Sequence, residues 1–127
     1  MDDFNLILKD LISRDLDSLN VSSLTDNMKL EFEKTAETYI KNKNYLDAIK
    51  VFVITGNKNR LILTGNMCLN ENRHYEAFYA FYYSESKNEL NKIGERLLQI
   101  PDVKTALKAF KKAENSEMTS FIEANLI

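Results

Sequence analysis

One cysteine, one proline, three glycines and no tryptophan occur among the 127 residues. The shortage of Gly and Pro removes the turn residues that an all-β protein of many short strands requires. A lone thiol, Cys68, forms no internal disulfide and supplies no cysteine-rich metal site, which fits a reducing compartment. Long apolar runs are missing too: the uncharged stretches fall far short of the roughly 18 apolar residues of a membrane span. The opening Met1-Asp2-Asp3-Phe4 is acidic where a secretory signal is basic. A soluble, cytoplasmic protein with no membrane span is therefore the expectation. Excess charge of one sign is also lacking, since 17 basic residues stand against 19 acidic ones for a net charge of −2. That balance argues against a chain whose main task is gripping nucleic-acid phosphates. It is uneven along the chain: residues 1–36 carry 4 basic and 8 acidic side chains, residues 37–75 carry 6 and 3, and residues 76–127 carry 7 and 8. The start is acidic and the middle mildly basic.

Lys, Glu, Asn, Leu and Ile are abundant, and 44% of residues are hydrophobic, enough for one helical domain with a buried core. A period of 29 residues runs through it. Ala36, Gly65 and Gly94 form one column of small residues, Ala48, Ala77 and Ala106 a second, and Phe52, Phe81 and Phe110 a third. Phe32, Leu61 and Leu90, then Ile40, Leu69 and Leu98, then Tyr39, Cys68 and Leu97 add apolar columns in the same register. The pattern predicts two antiparallel helices per copy, with the small residues allowing close helix approach and each Phe filling space between neighbours.

In copy one the helices run from an N-cap at Thr25 to Lys41 and from Tyr45 to Thr55, closed by Gly56. Copy two uses Asn59 to Leu69 and His74 to Tyr83. Copy three uses Asn88 to Gln99, breaks at Ile100-Pro101-Asp102 and resumes to about Ala113, with Pro101 placed where a turn tolerates it. The predicted organisation is a single domain: an N-terminal cap over residues 1–24, repeats over 25–57, 58–86 and 87–115, and a C-terminal cap helix over 116–127. The first cap presents a stripe of Phe4, Ile7, Leu8, Leu11 and Ile12. The last begins at a capping Ser116 and turns Phe121 and Ile122 to the apolar side.

The columns Ala36/Ala48/Phe52, Gly65/Ala77/Phe81 and Gly94/Ala106/Phe110 resemble those of tetratricopeptide-type and related α-solenoid repeats over roughly residues 28–116. Tyr45-Leu46-Asp47-Ala48-Ile49 with Thr55-Gly56-Asn57 is similar to hairpins of coat and transport-complex solenoids. The period is 29 instead of about 34, and no proline separates the copies, so the likeness is tetratricopeptide-like rather than strict. It implies an all-α protein, an α-α superhelix of about three hairpins with capping helices, and a non-catalytic protein-binding or adaptor role. In such proteins the first helices of the hairpins line a groove, here Glu33, Glu37 and Lys41, Ile62, Asn66 and Asn70, then Asn91, Glu95 and Gln99. Glu33 and Glu37 stand where a clamp for a peptide carboxylate would want a cation and an amide, which disfavours that function. Asn66, Asn70 and Asn91 are candidate partner-binding residues through amide hydrogen bonds, the plain alternative being amides that face water.

Little in the sequence suggests catalysis. His74 is the only histidine, and its neighbours Arg73, Tyr75 and Glu76 make no catalytic set. Cys68 shares a column with Tyr39 and Leu97, which marks it as a small core residue rather than a nucleophile. Gly-rich phosphate loops, zinc spacings and calcium loops are missing, so no cofactor is expected. The segment His74-Tyr75-Glu76-Ala77-Phe78-Tyr79-Ala80-Phe81-Tyr82-Tyr83 points aromatics in nearly every helical direction; Phe78 and Tyr82 are expected to pack on adjacent hairpins, leaving Tyr75, Tyr79 or Tyr83 as candidates for an exposed contact surface, the plain alternative being a packed central helix whose hydroxyls reach solvent. Lys104, Lys108, Lys111 and Lys112 share a helix face, a candidate contact for anionic partners or a solvated outer face. Protein partners are therefore expected. A homo-oligomer subunit is the alternative, and an accessory nucleic-acid role stands behind both.

Overall fold

A computed structural model of the chain describes the backbone of residues 2–14 and 24–127 and the side chains of 6–14 and 24–127. Phe4 of the expected N-terminal stripe lies outside the described side chains. The fold is all-α: α1 (Asp2–Ile12), α2 (Asp26–Lys41), α3 (Tyr45–Thr55), α4 (Lys58–Asn70), α5 (His74–Ser84), α6 (Lys87–Gln99), α7 (Val103–Lys112) and α8 (Ser116–Asn125). Helix ends follow local chemistry. The side-chain oxygens of Thr25, Asn57, Asp102 and Asn115 each accept a backbone N–H three residues on, satisfying donors that a helix N-terminus leaves unpaired. The last cap corrects the expected one, since Asn115 holds that position and Ser116 is the first helical residue.

Left-handed backbone closes the turns. Gly56, Glu85 and Glu114, 29 residues apart, have φ of 71°, 62° and 57°, and Lys43 and Asn72, also 29 apart, both have 61°. Only Gly56 reaches that conformation without a Cβ penalty. Glu85 and Glu114 instead hold ion pairs there, with Lys58 at 2.7 Å and Lys87 at 3.1 Å. The Ile100–Pro101 peptide in the α6–α7 turn is cis.

Neighbouring helices pack in chain order, most closely α2 on α3, α4 on α5 and α6 on α7. Their small residues set that approach. A Cβ on Gly65 would lie 2.4 Å from Cε1 of Phe81, and one on Gly94 would lie 2.7 Å from Cζ of Phe110, both inside contact distance. Each ring therefore rests directly on the glycine backbone of the facing helix. Phe32, Phe52, Phe81 and Phe110 are all fully buried, as are Ala36, Ala48, Ala77 and Ala106. At the ends, Leu8 and Ile122 anchor α1 and α8 in the core. Two expectations are corrected there: Ile7 is exposed, and Phe121 is 50% exposed instead of facing the apolar side. Adjacent residues of an α-helix point in different directions around its axis, and α8 turns Ile122 inward and Phe121 outward.

Candidate functional site

α5 carries eleven residues, HYEAFYAFYYS, and only Glu76 among them bears a formal charge. Ala77, Phe78, Ala80, Phe81 and Ser84 are buried, which spends one broad face on α4, α6 and the flanking α3 and α7. Tyr75 and Tyr79 remain exposed, and Tyr82 and Tyr83 half-buried. The rings form a continuous array: Phe78 meets Tyr79 and Tyr82 at centroid separations of 5.6 Å, and Tyr82 meets Tyr83 at 5.3 Å. Phe78, Tyr79, Tyr82, Tyr83 and Lys108 line a cleft of about 250 Å³ between α5 and α7.

The three predicted tyrosines thus separate. Tyr79 and Tyr83 belong to the cleft, whereas Tyr75 donates its hydroxyl to Oδ2 of Asp102 at 2.8 Å, tying α5 to the start of α7. That bond raises the Tyr75 pKa, while the Thr105 N–H, Tyr75 and Thr105 hydroxyls lower that of Asp102. The basic stripe also divides. Lys111 pairs with Glu123 at 3.7 Å, and Lys112 lies 4.8 Å from the Tyr82 centroid with Glu85 at 3.9 Å. Lys104 and Lys108 are exposed and have no ion pair among the described residues.

The polar residues of α2, α4 and α6 are differently employed. Half-buried Glu33 accepts from the Thr55 hydroxyl at 2.8 Å and from Asn57 Nδ2 at 3.0 Å, and Glu37 accepts from Arg60 at 2.6 Å. Asn66 donates to its own helix at Ile62 O and accepts from Lys92 at 3.5 Å, while Asn91 accepts from Asn115 Nδ2 at 2.9 Å. Asn70 is exposed at the end of α4. These side chains stitch one helix pair to the next, which leaves Asn70 the freest of the three predicted amides. Spacing alone placed them on a common face; only the neighbouring helix revealed Asn57, Arg60, Lys92 and Asn115 as their partners. The Lys112–Tyr82 contact was equally invisible from the chain, because it joins α5 to α7.

Searches of protein-family models, curated proteins and solved structures find no match to this chain. Its chemistry is therefore read from its own residues. Among those described, no cluster of three or more His, Cys, Asp or Glu could hold a metal ion, and no helix is long and apolar enough to cross a membrane. Cys68 is fully buried, and burial pushes its thiol up to about 12. Tyr45 hydrogen-bonds Glu71 and lies under Arg73, 4.9 Å from the guanidinium carbon; that bond raises its pKa to about 12 as well.

Both groups have folded pKa values above their unfolded ones of roughly 8.5 and 10. Their stabilising contribution is complete below the unfolded values and disappears as pH rises through about 12. Urea midpoints should fall steadily between about pH 9 and pH 11, and Tyr45→Phe should flatten the upper part of that fall. Labelling of Cys68 by a thiol reagent should require unfolding, so its native rate at pH 8 should be at least about a hundredfold below the rate in urea. Rapid native labelling would show that the α4 packing opens locally.

Proposed function

We propose that this chain is a non-catalytic, tetratricopeptide-like protein-binding module that receives a segment of another protein on the aromatic face of α5. The observation that carries the reading is the cleft of Phe78, Tyr79, Tyr82, Tyr83 and Lys108, an aromatic surface left open on a helix whose remaining faces are packed. Partly exposed tyrosines suit such contacts, because a rigid ring adds apolar area at small entropic cost and its hydroxyl keeps a hydrogen bond. The 29-residue recurrence of buried Phe on small residues and of left-handed turn residues supports a superhelical arrangement of hairpins. The engagement of Glu33, Glu37, Asn66 and Asn91 with neighbouring helices favours the α5 face over the row formed by α2, α4 and α6.

Selection of binders from a random peptide library against the folded chain tests this reading. Clones enriched on the wild type should lose at least about tenfold in affinity on Tyr79→Ala, a hot-spot-sized loss of roughly 1.4 kcal/mol or more. The circular dichroism of that variant should match the wild type, since Tyr79 is 39% exposed. Clones that bind Tyr79→Ala and Tyr83→Ala as tightly as wild type would overturn it.

A structural subunit of a homo-oligomer is the second reading. Exposed Leu6 and Ile7 on α1, and Phe121, Leu126 and Ile127 around α8, put apolar side chains at both ends of the helix array. Sedimentation between micromolar and millimolar concentration distinguishes the two, because a mass that stays monomeric removes the subunit reading.

A further inference from the structure

The cleft beside α5 has aromatic walls and one charged residue, Lys108, in its lining. We propose that its occupant is an acidic protein segment bearing one bulky apolar side chain. That side chain seats among Phe78, Tyr79, Tyr82 and Tyr83, with flanking carboxylates facing Lys104 and Lys108; this rests on the reading of α5 as the binding face. The volume of about 250 Å³ suits a single large side chain rather than a buried helix. Two pairs of rings meet at interplanar angles of 60° and 70°, so the rings are not coplanar and do not form a flat stacking platform for bases.

Charge selects the flanks. None of the residues lining the cleft is a carboxylate. Of two acids on the flanking elements, Asp102 accepts from Tyr75 and Thr105 while keeping its charge, and Glu85 pairs with Lys58 and Lys112. On the same helix Lys111 and Lys112 are in ion-pair contact with acids, whereas Lys104 and Lys108 make no such contact among the described residues, and Lys108 acts on Asp102 only at longer range. They stand one turn apart on one face of α7, and Lys108 itself lines the cleft. The Lys108 charge helps hold Asp102 below the usual carboxylate range, so this cation acts on groups around the cleft mouth. A basic segment would meet repulsion at this rim, and a neutral one would gain nothing from its two ammonium groups. The hydroxyls of Tyr79 and Tyr82 donate to no described residue and can bond the backbone of the bound segment.

The test uses the full chain and three fluorescein-labelled 12-residue peptides, each with one central Phe, flanked by Asp and Ser, by Gln and Ser, or by Lys and Ser. A dT12 oligonucleotide is the fourth probe. Anisotropy in 50 mM salt should rank the Asp peptide about tenfold tighter than the Gln peptide, with the Lys peptide weakest. The preference should shrink in 300 mM salt. The double variant Lys104→Glu/Lys108→Glu should reverse the ranking, and Tyr79→Ala should weaken the Asp and Gln peptides alike. Equal binding of Asp and Gln peptides, both lost in Tyr79→Ala, would overturn the acidic preference and leave the α5 reading intact. A preference for Asp that survives charge reversal would place the selecting cations elsewhere and overturn the inference. Asp-peptide binding untouched by Tyr79→Ala, or no binding by any peptide, would overturn the inference and the α5 reading together. Tighter binding of dT12 than of the Asp peptide would replace it with a nucleic-acid partner.

Discussion

Phe81→Ala should lower the free energy of unfolding by about 3–5 kcal/mol, the usual cost of emptying a fully buried aromatic site. Phe81 is 0% exposed and its ring lies on the bare backbone of Gly65. The cavity left behind is bordered by α4, which cannot collapse into it without moving its own packing. A sign inversion at the neighbouring glycine makes the experiment specific. In the wild type, Gly65→Ala places a methyl 2.4 Å from a ring atom that has no space to retreat, so it should destabilise by about 1–3 kcal/mol. In the Phe81→Ala background the same change meets an open site and should become neutral or stabilising, by up to about 1 kcal/mol from helix propensity. Urea denaturation of the four proteins gives the coupling directly. Additive effects at the two positions would show that the ring does not rest on Gly65.

A second large effect is expected where two adjacent residues diverge. Ile122→Asp should cost at least about 3 kcal/mol, because it buries an unpaired carboxylate in the contact that anchors α8. Phe121→Asp should stay within about 0.5 kcal/mol of wild type, as exposed substitutions usually do. The side chains differ in exposure by half of the residue surface, 0% against 50%. Thermal melts of the two variants check the contrast; similar losses would mean that α8 packs through Phe121 also.

The same pair shows how far reasoning from the chain reaches. Periodicity brackets α8 and marks both residues as apolar, yet its phase on a short helix leaves two neighbouring residues equally good candidates for the core. For the central helices the phase is better determined, since each copy repeats it. Thr25, Gly56 and the break at Asp102 are legible as boundaries because capping and left-handed turns depend on local chemistry, whereas the α4 cap is Asn57, two residues before the expected start at Asn59. Cys68 is legible as core for a similar reason: its column is apolar in every copy.

The candidate site is only half legible. An all-round aromatic helix announces that some rings must remain outside, but Tyr75, Tyr79 and Tyr83 look alike in sequence. What separates them is α7, which supplies Asp102 to Tyr75 and Lys108 to the cleft at Tyr79 and Tyr83. Likewise the four lysines of the stripe are equivalent by spacing, and become two paired and two unpaired cations once Glu85 and Glu123 are in place. The amides at Asn66 and Asn91 look available until Lys92 and Asn115 reach them.

By itself, then, the sequence determined the all-helical class, most helix ends to within about one residue, and the small-residue and Phe columns of the core, because these depend on spacing, caps and hydrophobicity within one segment. Only the tertiary structure decided which tyrosines line the cleft and which lysines and amides are engaged by a neighbouring helix. That property belongs to pairs of side chains brought together from helices some 25 residues apart, and no local pattern encodes the partner that a side chain will meet.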